Sequence, residues 1–227
     1  MPRILRRPTE LNNPGVRTTV LACTALIAIV MAMFLFKINR APLVSDEALR
    51  GNGVVLLPRP RDISPFEFID AKGKPFTNAN INGQWSLVYF GYTYCPDACP
   101  TTMRDLSKAL PAVRKALAEQ NVKSNVQVVF ISVDPERDTT ARIDEYLRFF
   151  APDFVGATST REKLASMATQ VNVTFGKIPG TTPDSYAVDH PINLVLINPN
   201  GHYQGFLRPP FTAARLTIGL PGAIGRF

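Results

Sequence analysis

Sulfur and imidazole ligands are scarce here: the 227 residues include three cysteines and two histidines. Cys23 lies inside a long apolar run, which leaves Cys95 and Cys99 for the rest of the chain. A structural zinc site normally takes four protein ligands, and no third cysteine is available for one outside that run. A basic stripe interleaved with aromatics is also missing from the body of the chain, which argues against nucleic-acid binding. The formal charge of +7 is concentrated at the start, with a net +4 in residues 1–50 and +3 in the remainder. Internal repeats and low-complexity segments do not occur. What is present is a hydrophobic content of 45%, enough for one globular domain of ordinary size plus a tail.

Val20 to Phe36 is an uncharged, overwhelmingly apolar run, and Thr18 and Thr19 extend it to the whole interval between Arg17 and Lys37. Nineteen residues is near the lower limit for spanning a bilayer. Arg3, Arg6, Arg7 and Arg17 precede the run, while Lys37, Arg40 and Arg50 follow it together with Asp46 and Glu47. The positive-inside rule then leaves residues 1–17 in the cytoplasm and the rest of the chain on the far side. A cleaved signal peptide is the rival reading, but its apolar core is usually shorter and ends in small residues. This one runs through Phe34-Leu35-Phe36 into Lys37, so 18–36 reads as an uncleaved anchor. Residues 37–62, with Pro42, Pro58, Pro60, Gly51 and Gly53, suit a tether, and 63–227 is expected to form the globular domain.

Cys95 and Cys99 stand in Gly91-Tyr-Thr-Tyr-Cys-Pro-Asp-Ala-Cys-Pro100, after the apolar strand pattern Ser86 to Phe90 and before a helical one. Pro96 and Asp97 suit a helix's first turn, because proline's missing N–H is harmless there and a carboxylate favours the positive dipole end. Both thiols are therefore expected at an electropositive terminus, which favours thiolate. On a helix, residues four apart share a face, so two sulfurs can converge on one soft cation or on each other. The bland alternative is that two small cysteines pack a helix against a sheet.

Residues 66–77 read as a hairpin turning near Lys72-Gly73, and residues 126–133 as a second buried strand. Helical periodicity runs over about 100–119, through Met103, Leu106, Leu110, Val113 and Leu117, and again over 139–150 and 161–169. Short strands are expected at 154–156 and 171–175, and a terminal hairpin pairs 192–197 with 203–207 around Asn198-Pro-Asn-Gly201. A last helix is expected at 213–220. Alternating strands and helices that end in a hairpin imply an α/β sandwich with a mixed sheet. Thiols at the end of a strand make it thioredoxin-like: a mixed sheet flanked by helices, preceded by a single N-terminal transmembrane helix.

Gly91 to Pro100, Ile131-Ser-Val-Asp-Pro-Glu-Arg-Asp-Thr139 and Val188-Asp-His190, in that order, resemble the Sco/SenC family of membrane-anchored copper chaperones. That family helps assemble the CuA centre of cytochrome c oxidase. The resemblance covers roughly Ile63 to Tyr203 and implies a thioredoxin-like fold. It also implies a metal site of Cys95, Cys99 and His190; from residue chemistry alone, His190 reads more readily as a surface or hydrogen-bonded residue than as a ligand. Two thiolates and one imidazole are a soft, nearly trigonal set suited to Cu(I), and an added water or carboxylate would accommodate Cu(II). Pro191 holds His190 to extended backbone. His202, beside Gly201, reads as a solvent-facing turn residue.

Asp134-Pro-Glu-Arg-Asp138 follows a buried strand, on a loop where function tends to collect. Its bland reading has Asp138 capping the next helix and Arg137 paired with a carboxylate, while the resemblance implies a role for Asp134 in maturation or partner recognition. Tyr92 and Tyr94 read as sheet-packing residues. Two features depart from the family pattern: Pro191 stands where relatives carry a small hydroxyl residue, and the loop 177–186 has one acidic residue where some have a cluster. The stretch from Arg208 on matches no recognisable pattern and has no role assigned by sequence, although its composition would suit covering a sheet edge.

The leading expectation is a copper carrier with no turnover. Its partner would be the CuA-bearing subunit of cytochrome c oxidase, with other copper chaperones or thiol reductants upstream. The location implied is a bacterial inner membrane with the domain in the periplasm, or the intermembrane space in a mitochondrion. The runner-up is a thiol–disulfide oxidoreductase using Cys95 and Cys99 as its redox pair, which would keep CuA-site or other exported cysteines reduced. Such enzymes usually carry a shorter Cys-x-x-Cys and need no histidine ligand. A peroxidase is a distant third.

Overall fold

The computed structural model describes residues 14–38, 44–120, 122, 124–182 and 185–227. The chain divides into two units, Met1–Pro42 and Leu43–Phe227. In the first, α1 (Pro14–Ile38) is one continuous helix, and its described side chains, including Cys23, are exposed. Among the described residues it is the one helix long and apolar enough to cross a membrane. A helix that is apolar all round and shields none of that surface in protein fits a bilayer anchor. Arg3, Arg6, Arg7 and Arg40, which enter the orientation argument, lie outside the described residues.

The second unit begins earlier than a tether over 37–62 would allow. It opens with α2 (Asp46–Gly51) and β1 (Val54–Arg61). Ser45 caps α2 by accepting from the Ala48 N–H, Asp46 and Glu47 sit at the positive end of the helix, and Leu49 is buried. Pro58 and Pro60 belong to a strand at the sheet's edge, where a missing N–H costs little. The prolines that suggested a tether therefore mark an edge strand.

The remaining elements are β2 (Glu67–Asp70), β3 (Pro75–Thr77), α3 (Asn78–Ile81), β4 (Trp85–Gly91), α4 (Ala98–Glu119), β5 (Val126–Ser132), α5 (Thr140–Arg148), β6 (Val155–Thr158), α6 (Arg161–Gln170), β7 (Gly176–Pro179), β8 (Tyr186–Asp189), β9 (Leu194–Ile197), β10 (Tyr203–Leu207) and α7 (Ala213–Ile224). Eight strands form one mixed sheet in the order β1-β10-β9-β4-β5-β6-β2-β3, with β4, β5 and β6 parallel. Every residue of β4 is buried, as expected for a central strand covered on both faces. α4 supplies part of that cover through Met103, Leu106, Leu110, Val113 and Leu117. The flanked mixed sheet agrees with the α/β expectation.

Two local expectations change. Residues 171–175 do not form a strand: Val171 ends α6, Asn172 takes a positive φ of 57°, and Val173 is buried in a turn. The strand starts at Gly176 instead, and β7 pairs with β8 as a separate two-stranded ribbon where the sequence suggested a loop. The C-terminal stretch forms α7, which packs on α2, α4 and the edge strand β1. A side chain at Gly219 would come within 2.7 Å of Val54 Cγ2, so the small residue permits this approach. Phe227 then meets Trp85 edge-on at 5.4 Å.

Candidate metal centre

β4 delivers the chain at Gly91 into the turn Tyr92-Thr93-Tyr94-Cys95, closed by the Cys95 N–H donating to the Tyr92 carbonyl at 3.2 Å. Asp97 is the residue before α4, so only Cys99 lies in the helix and Cys95 lies ahead of it. The expectation that both cysteines share a helical face is thus corrected. Convergence comes from capping: the Cys99 N–H in the first turn donates to Cys95 Sγ at 3.4 Å. A sulfur there meets the unpaired amides that every helix N-terminus presents. Gly91 makes room, since a Cβ at that position would lie 2.8 Å from Cys99 Sγ.

His190 follows β8 and brings its Nε2 to 3.5 Å from Cys99 Sγ. The ligand atoms of Cys95, Cys99 and His190 all lie within 4.8 Å of one another, the one such group among the described residues. Nδ1 of His190 lies 3.3 Å from the Pro191 carbonyl. In the metal-free site a proton on Nε2 is donated to the sulfurs; with the proton on Nδ1, shared with the Pro191 carbonyl, Nε2 would present its lone pair to a metal. Tyr89 and Tyr92 fix the ring plane edge-on, with centroids 5.8 and 5.6 Å away.

Cys99 is fully buried and Cys95 half-buried, and this difference separates their chemistry. Hydrogen bonds, first from the Cys99 thiol and then from His190 and the Cys99 amide, pull Cys95 down to about 3 against the opposing effect of burial. Burial pushes the Cys99 thiol upward, and the neighbouring Cys95 sulfur adds to the rise. At neutral pH the metal-free pair is one thiolate and one thiol.

Around this cluster several expectations are revised. Tyr92 is buried, as a packing residue should be, but Tyr94 is 52% exposed and lies beneath the guanidinium groups of Arg137 and Arg142. Asp138 does not cap α5; Thr139 does, accepting from the Arg142 N–H. Asp138 is buried instead and accepts from the Thr93 N–H, the Thr93 hydroxyl and the Ser132 hydroxyl. Arg137 does pair with a carboxylate, that of buried Asp134, with Nε–Oδ2 at 2.5 Å. His202 stands apart from the cluster, half-exposed, with Nε2 3.4 Å from Asp62 Oδ1. Sequence reasoning missed Tyr186, whose hydroxyl donates to Asp134 Oδ1 at 2.7 Å. It also missed Tyr89, whose hydroxyl is buried beside Cys99 and whose ring meets His190 edge-on.

A mixed α/β sheet whose central strand runs into a Cys-x-x-x-Cys helix start, with a histidine arching over it from a separate ribbon, defines a thioredoxin-like protein carrying a compact soft-ligand site. The SCO1/SenC profile matches residues 57–221, and the chain belongs to that family. It is 40% identical over 162 residues to the mitochondrial SCO2 homolog of Mus musculus, covering 71% of this chain and 62% of that protein. With the mitochondrial SCO1 homolog of Homo sapiens it shares 34% identity over 201 residues, 87% of this chain and 64% of that protein. It therefore spans less than two thirds of either relative. Among solved structures, Arabidopsis thaliana ScoI with copper bound is similar at a TM-score of 0.64 and 34% identity, covering 73% of this chain and 99% of that one.

Proposed function

We propose that this chain is a membrane-anchored copper carrier in which Cys95, Cys99 and His190 hold the metal and pass it on to the CuA-bearing subunit of cytochrome c oxidase. The observation that carries this reading is the gathering of two sulfurs and one imidazole nitrogen within 4.8 Å. Two thiolates and an imidazole match the three-coordinate preference of Cu(I), and an added water or carboxylate would accommodate Cu(II). Cys95 meets the metal as a ready thiolate, while Cys99 gives up its proton on binding. Release by ligand exchange is favoured because Cys95 is half-exposed, so an incoming thiolate can reach the metal before all three bonds break.

The N-terminal helix fits an anchor, and the arginines before it favour a cytoplasmic N-terminus with the domain on the far side. That location is the periplasm in a bacterium, or the intermembrane space in a mitochondrion. Loading there requires the dithiol to be reduced and the metal to be supplied, so a thiol reductant and another copper chaperone act upstream.

The second reading is thiol–disulfide exchange, and the low-pKa, half-exposed Cys95 beside a buried thiol favours it. Cys95 would attack a target disulfide, and Cys99, losing its proton, would resolve the mixed disulfide and leave the target reduced and this pair oxidised. His190→Ala separates the readings. A carrier loses copper loading of the oxidase while its dithiol still reduces a model disulfide; a reductase keeps oxidase assembly intact.

A further inference from the structure

The metal cluster is assembled from two pieces of chain that share no backbone ladder. Cys95 and Cys99 follow β4 of the large sheet, whereas His190 follows β8 of the separate ribbon. A third piece touches both. The loop Asp134–Asp138, which leaves β5 beside the cysteine turn, carries two buried carboxylates. Asp138 accepts from the Thr93 N–H at 2.9 Å and the Thr93 hydroxyl at 2.6 Å, two residues before Cys95. Asp134 accepts from the Tyr186 hydroxyl at 2.7 Å, four residues before His190.

Further ties run from the same loop to the ribbon. Arg137, held by Asp134, donates through Nη1 to the Tyr186 carbonyl at 3.1 Å and lies over its ring at 3.6 Å. Glu136 pairs with Lys177 of β7 at 3.3 Å. Removing one partner of a buried pair leaves the other uncompensated, so these contacts resist loosening. The exposed Glu136–Lys177 pair contributes little beside them.

We propose that the Asp134–Asp138 loop is the positioning device of the metal site, one carboxylate fastening the cysteine turn and the other fastening the histidine ribbon at a fixed separation. Asp134 and Tyr186 then act on a metal through His190, Thr93 and Asp138 act through the thiols, and Arg137, which also lies over Tyr92 and Tyr94 of the cysteine turn, touches both sides. The proposal rests on the copper-carrier reading for its consequence but not for its geometry. It gives the buried aspartates a task that a surface-loop role would not require.

The test uses the full chain in detergent, with Cu(I) itself as the probe and amide hydrogen exchange of the metal-free protein as a second readout. Tyr186→Phe removes one hydroxyl and leaves the Asp134–Arg137 pair in place, so it avoids the folding risk of Asp134→Asn. It should speed exchange across residues 176–189 and lower Cu(I) affinity about tenfold, the low end of what outer-shell changes do. In a His190→Ala background the same substitution should change affinity less than about twofold, since no ligand is left for it to position. Thr93→Val should lower affinity in both backgrounds alike. Unchanged exchange in Tyr186→Phe, or an equal affinity loss with and without His190, overturns the proposal. If the parent protein binds no Cu(I), the carrier reading fails, and the exchange experiment still decides whether the loop holds the ribbon.

Discussion

Cys99 Sγ and His190 Nε2 lie 3.5 Å apart, although 91 residues separate them in the chain. This contact brings an imidazole to a dithiol, and it depends on the β7–β8 ribbon, which among the described residues shares no ladder with the sheet that carries the cysteine turn. Its consequences can be measured one at a time.

Reactivity of the metal-free dithiol should be nearly independent of pH through the acidic range. An unperturbed thiol loses its thiolate below its ordinary pKa of about 8.5, so its alkylation slows as pH falls. Cys95, held down to about 3, stays a thiolate above that value. Alkylation of Cys95 measured by mass spectrometry should persist at pH 5. A rate that falls tenfold per pH unit below pH 8 would contradict the low value, and His190→Ala should move the profile upward by removing one of the stabilising hydrogen bonds.

Gly91→Ala tests the packing that seats Cys99. The added Cβ would stand 2.8 Å from Cys99 Sγ, 2.9 Å from Tyr89 Cε1 and 3.0 Å from Phe130 Cε2. Overpacking of this kind costs about 1–3 kcal/mol. Chemical denaturation should report that loss, and Cu(I) affinity should drop because the buried sulfur must move. Wild-type stability and affinity in this variant would mean that the site is looser than described.

The anchor prediction is topological. A reporter that works only outside the cytoplasm should be active when fused after Phe227, because four arginines precede the span. Substituting Arg3, Arg6, Arg7 and Arg17 together should reduce that activity. A reporter active only in the cytoplasm would remove the reason for delivering copper to an exported site.

How much of this was legible in the sequence depended on how local the signal was. β4 and the cysteine turn could be read because a fully apolar run, Leu87 to Phe90, ends at a proline-marked helix start. The helix boundary slipped by only a few residues, yet that slip leaves Cys95 two residues ahead of the Asp97 cap. The β7–β8 ribbon was not legible, since each strand has four residues and Pro179 and Gly180 interrupt the alternation. Nor was the burial of Asp134, because beside the nearby Arg137 its second oxygen is satisfied by the hydroxyl of Tyr186, 52 positions away. Edge strand β1 was hidden by its prolines, and its pairing with β10 is visible only in the sheet.

The carrier reading also makes a prediction in cells. His190→Ala should abolish copper loading of the oxidase, and added copper should partly restore oxidase activity in cells lacking the protein. Under the reductase reading an added thiol reductant would restore it instead. Full oxidase assembly in the His190→Ala strain would favour the reductase.

The most direct measurement is a Cu(I) titration of the reduced full chain in detergent, against a competing chelator. One Cu(I) per chain should bind, with affinity strongly weakened by Cys95→Ser, Cys99→Ser and His190→Ala, the cysteine changes most because thiolates dominate Cu(I) binding. Unchanged stoichiometry and affinity in the Cys95→Ser/Cys99→Ser double variant would contradict the assignment.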